Sequence, residues 1–68
     1  MAMKPSIATK IMQDINSKNG PTINIAEAMN MTPVKTDKLI VFALQKDDVT
    51  FLAWVHEDNT VSTRIIAW

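Results

Sequence analysis

Apolar residues near the amino end recur at helical spacing. Ile7, Ala8, Ile11, Met12 and Ile15 form one stripe, while Thr9, Lys10, Gln13, Asp14 and Lys18 fall mostly on the other side. Pro5 suits a first helical turn, where its missing N–H removes nothing useful. Ser17-Lys18-Asn19-Gly20-Pro21 is a stop signal, with Gly20 available as a left-handed cap and Pro21 unable to continue. The spacing predicts a helix over 5–18.

Asn24 followed by Glu27 has the form of a capping box and predicts a short second helix over 25–30. Asn30 tolerates the left-handed backbone of a sharp turn. Thr32-Pro33 then reads as an N-cap followed by proline at the first helical position. A third helix is predicted over 33–45, burying Leu39, Ile40, Ala43 and Leu44 and leaving Lys35, Lys38 and Gln45 outside.

The period then changes. Val49–Val55 and Val61–Trp68 are rich in β-branched and aromatic residues, and His56-Glu57-Asp58-Asn59-Thr60 between them are turn formers. They predict a two-stranded hairpin over about 49–67. With Asp58-Asn59 at the tip, Trp54 faces Thr63 and Leu52 faces Ile65. One face then carries Leu52, Trp54, Val61 and Ile65, and the other Val49, Phe51, Val55, Ile66 and Trp68. A hairpin apolar on both faces is either covered on both sides by helices or meets another chain.

Sixty-eight residues allow one domain, 1–68, with a modest core. Hydrophobic residues make up 47% of the chain, a globular composition. No cysteine is present, so disulfides and thiolate zinc sites are excluded, and self-association is the remaining staple for a chain this small. His56 is the only histidine, and no metal-ligand spacing is seen. No apolar run approaches membrane-spanning length and no signal peptide is evident, so the expectation is a soluble, cytoplasmic protein. Net charge is zero but unevenly placed: residues 1–46 carry +3 and residues 47–68 carry −3.

The order of elements, and the stretch Ile23–Leu39 in particular, resembles the winged helix-turn-helix family. Ala26 fits the small residue that lets the next helix approach, Met29 the apolar anchor before the turn, and Met31 and Leu39 the apolar positions after it. Asn30 stands where the family usually has glycine. The resemblance implies an α+β fold of three helices followed by a two-stranded antiparallel hairpin, and a small sequence-specific DNA-binding transcriptional regulator. Its third helix would enter the major groove, with Thr32, Val34, Lys35, Thr36 and Lys38 as candidate DNA contacts. A homodimer would read two half-sites.

The acidic hairpin tip would repel phosphate, which keeps a second class open. This is a protein-interaction module, of the kind found as small phage- or plasmid-type inhibitors or adaptors, binding another protein through the apolar hairpin. Trp54, Val55, Ile66 and Trp68 are then the candidate interface residues. Nothing suggests an enzyme or a cofactor: there is no cysteine nucleophile, no glycine-rich phosphate loop and no histidine paired with a placed carboxylate. His56, beside Glu57 and Asp58, reads as a solvated turn residue that could act as a pH-sensitive contact.

Overall fold

In the computed structural model, which describes residues 3–35 and 40–67, the amino-terminal stripe folds as expected. Helix α1 spans Pro5–Asn16 with proline in its first turn, and Ala8, Ile11 and Ile15 are its buried residues. It ends on Ser17 in a right-handed conformation, the Ser17 N–H donating to the Gln13 carbonyl. Gly20 is therefore not a left-handed cap, and no glycine has a positive φ.

Helix α2, Ile25–Met29, opens on the expected capping box. Asn24 Oδ1 accepts from the Glu27 N–H at 2.8 Å, and Glu27 Oε1 accepts from the Asn24 N–H at 2.9 Å. Asn30 closes it at φ −95°, not in the left-handed region. Ala28 is the buried alanine of α2, whereas Ala26 is exposed.

The third helix and the two-stranded hairpin are corrected by a four-stranded antiparallel meander, ordered β1-β2-β3-β4. Its strands are β1 (Thr32–Lys35), β2 (Ile40–Lys46), β3 (Val49–Val55) and β4 (Val61–Ala67). The chain is thus α+β, with two helices before a sheet. The physical reason lies in the apolar run Ile40–Leu44, short enough to satisfy either period. Its β-branched and aromatic members favour a strand once a partner is adjacent. Phe42 and Leu44 turn inward, and Val41, Ala43 and Gln45 face the other way. Pro33 sits in β1, an edge strand, where its missing N–H is tolerated.

That partner is β3, joined to β2 by only Asp47-Asp48, with φ of 51° and 63°. Two successive left-handed residues are the backbone of a type I′ turn, which favours Asn-Gly. Asp47→Asn combined with Asp48→Gly is therefore expected to raise stability by about 1 kcal/mol. A urea midpoint shifted upward at unchanged slope would show it.

The β3–β4 connection slips the expected register by one residue. His56 N–H donates to the Thr60 carbonyl, Asn59 N–H donates to the His56 carbonyl, and Asn59 has φ 66°. This is a three-residue loop whose last residue is left-handed, not a two-residue tip. Val55 therefore pairs with Val61, Trp54 with Ser62 and Leu52 with Arg64. A slip of one residue exchanges the faces of a strand. Val61 and Ile65 join Phe51 on the core side, and Ile66 joins Leu52 and Trp54 on the other.

The core lies between the helices and one sheet face, a two-layer arrangement. Ile11, Ile15 and Phe51 are its largest fully buried side chains, surrounded by Met3, Ile23, Ala28, Met31, Phe42 and Ala53. Polar ties hold the layers in place. Asn16 grips the Ile23 backbone twice, Nδ2 donating to its carbonyl and Oδ1 accepting from its N–H, both at 2.9 Å. Along β4, Lys18 Nζ donates to the Thr63 carbonyl, Thr63 Oγ1 donates to Asp14 at 2.5 Å, and Lys10 Nζ donates to the Asn59 carbonyl at 2.9 Å.

Glu27 also meets Lys46 Nζ at 2.9 Å, which ties α2 to β2. The Lys46 ammonium, followed by the Asn24 N–H, holds the Glu27 carboxyl below its usual value. A depressed carboxylate contributes stability above its unfolded-state pKa, and that contribution is lost as pH falls through the folded value. Acidification below about pH 4 is therefore expected to destabilise the chain through this group. Glu27→Gln should show a shallower fall in melting temperature between about pH 6 and pH 3 than the parent.

Candidate interaction face

The helices cover one side of the sheet, and strand alternation places every second residue on the other. Across β1 to β4 the first row of that open face is Val34, Val41, Trp54 and Ser62. The next row is Thr32, Ala43, Leu52 and Arg64, and beyond it lie Gln45, Thr50 and Ile66. Apolar side chains thus run continuously over three strands, bordered by Ser62 and Arg64 on β4, Thr32 on β1, and Gln45 and Thr50 at one end. Val34 and Ile66 are exposed at 47% and 37%, and Leu52, Trp54 and Ala43 are half-buried. Val41 is 8% exposed at the centre of its row.

Arg64 is the only charged residue in these rows. It is exposed and, among the described residues, has no carboxylate partner. Ser62 Oγ lies 2.7 Å from His56 Nε2 at the margin of the face. Asp58 does not complete a catalytic trio with that pair, since its Oδ1 accepts from both the N–H and the Oγ–H of Thr60. Those two bonds, the hydroxyl first, hold the Asp58 carboxyl below its usual value. Among the described residues no group of three His, Asp or Glu is placed to hold a metal ion, and no helix is long and apolar enough to cross a membrane.

The candidate residues are redistributed by the sheet. Thr32, Val34 and Lys35 lie on β1 rather than at the start of a recognition helix, and Thr36 and Lys38 lie outside the described residues. Of the four interface candidates, Trp54 and Ile66 are on the open face, Val55 packs against the core, and Trp68 lies outside the described residues. Leu52 was visible beside Trp54 in the alternation of β3. Arg64 and Val41 were not, because their face depends on the register and on β2 being a strand.

Three lysines are engaged within the chain: Lys10 with Asn59, Lys18 with Thr63 and Asp14, and Lys46 with Glu27. A shallow hollow of about 390 Å³ between α1 and the β3–β4 turn is lined by Lys10 and Asp14, whose polar ends are among those ties. No family model matches the chain, and no curated protein or solved structure matches it either. What the fold defines is a small two-layer α+β domain with one sheet face that no described element covers.

Proposed function

We propose that this protein is an interaction module that docks a partner protein on the open face of its sheet. The observation that carries this is the continuous apolar surface Val34–Val41–Trp54 with Ala43 and Leu52, which no described element covers. Half-buried tryptophans at the centre of such a surface supply large area at low entropy cost and commonly anchor interfaces. The two sheet edges are less suited to a partner. Pro33 offers no N–H on β1, and Lys18 and Asp14 occupy Thr63 on β4.

DNA recognition through a third helix has no such helix to use, because Thr32–Lys35 is a strand. The lysine ties described above also leave fewer free cations for phosphate.

A photo-crosslinking residue placed at Leu52 should give adducts of defined mass in the cell that makes the protein. One placed at Gln13, on the exposed side of α1, should not. Trp54→Ala should weaken the Leu52 adducts by about 2 kcal/mol of affinity, some thirtyfold, with the circular dichroism spectrum retained. The same adducts from both positions, or none from Leu52, would overturn the proposal.

A further inference from the structure

The open face has a composition that specifies more than apolarity. Arg64 stands at the border of the apolar surface, next to Leu52 in its row, and no described carboxylate neutralises it. The acidic residues of the sheet sit instead in the turns, Asp47 and Asp48 at one end and Glu57 and Asp58 at the other. A basic partner segment would meet Arg64 on the face and gain nothing from it. An acidic one gains a charge-assisted hydrogen bond at the edge of a desolvated surface.

Size and backbone chemistry narrow the occupant further. Four strands spaced about 4.8 Å apart and about 24 Å long present a face of roughly 400 Å². A second copy laid face to face would bring another Arg64 and no carboxylate to this surface, because the acidic residues of the sheet sit in its turns. An extended segment laid on the face would leave its N–H and C=O groups unpaired there, and at the edges Pro33 removes a donor from β1 while Lys18 already occupies the Thr63 carbonyl of β4. A helix satisfies its own backbone. About three turns, roughly 16 Å long, cover the row Val34–Val41–Trp54 and bring the next row within reach.

We infer that the open face accepts an amphipathic helix of a partner protein, its apolar side on Val34, Leu52 and Trp54 and a carboxylate of its flank on Arg64. The inference rests on the docking reading above and adds the partner's secondary structure and charge.

The test uses two designed sixteen-residue helical peptides with the same leucine stripe, one flanked by glutamates and the other by lysines at the same positions. Binding is followed by tryptophan fluorescence in a Trp68→Phe background, so that Trp54 alone reports. The acidic peptide should saturate the signal and bind about tenfold more tightly than the basic one. Arg64→Glu should reverse that order, Arg64→Gln should abolish it, and Leu52→Lys should weaken both peptides, with folding checked by circular dichroism.

Equal binding of the two peptides, an order unchanged by Arg64→Glu, or no saturable binding at all would overturn the inference. So would light scattering that shows the chain alone to be a dimer with Trp54 shielded. If the peptides fail while crosslinks from Leu52 persist, the helix and its charge are wrong but the docking face stands.

Discussion

Phe51→Ala is expected to leave much of the chain unfolded at 25 °C. The Phe51 ring is fully buried at the centre of β3, on the sheet face that the helices cover. Removing a buried phenylalanine costs about 3–5 kcal/mol, the lost transfer energy together with the cavity left behind. A chain of 68 residues has, at about 0.05–0.15 kcal/mol per residue, a total stability of roughly 3–10 kcal/mol. The loss is thus comparable with the whole. Urea denaturation followed by far-UV circular dichroism would measure it. Ile66→Ala, on the open face, is the contrasting case and should cost less than about 1 kcal/mol. Similar losses at the two positions would contradict the assignment of the faces.

Asn16→Ala has the second largest expected effect. Its amide closes two hydrogen bonds on the Ile23 backbone, and Ile23 is only 4% exposed. Alanine removes both partners of these part-buried groups, an expected cost of about 2 kcal/mol at the net value of roughly 1 kcal/mol per hydrogen bond. Asn16→Asp should not rescue it, because a carboxylate oxygen would then face the Ile23 carbonyl. Faster hydrogen exchange at the Ile23 amide, together with a lowered urea midpoint, would locate the loss at this tie. An unchanged exchange rate would show that the segment between α1 and α2 is held by packing alone.

Asn16 illustrates what local patterns do not report. In the sequence it is a polar residue near a helix end, and its partner seven residues away belongs to no recognisable motif. The capping box of α2 was legible, because both its bonds form within four consecutive residues. The buried stripe of α1 was legible for a similar reason: Ala8, Ile11 and Ile15 fall on one side of any helix that starts at Pro5.

The candidate face was legible only in part. Trp54 and Leu52 share a face in any strand that holds both. Their neighbours on β4 depended on whether the hairpin loop has two residues or three, a choice made by the left-handed Asn59. Asp47-Asp48, which lacks the Asn-Gly that favours such a turn, is seen to be one only when β2 is paired with β3.

The sequence by itself therefore determined the two helices, the strand character of the carboxyl-terminal third, and an excess of apolar side chains over what one covered face can hide. Local periodicity, capping and turn chemistry suffice for these, since each acts within a few residues. Tertiary structure alone decided that Ile40–Lys46 is a strand, which face each β residue takes, and that Arg64 stands beside Leu52 and Trp54 with no carboxylate partner among the described residues. Strand pairing is a contact between distant segments, and a shift of one residue reverses every side chain. Short-range signals cannot resolve it until the partner strand is in place.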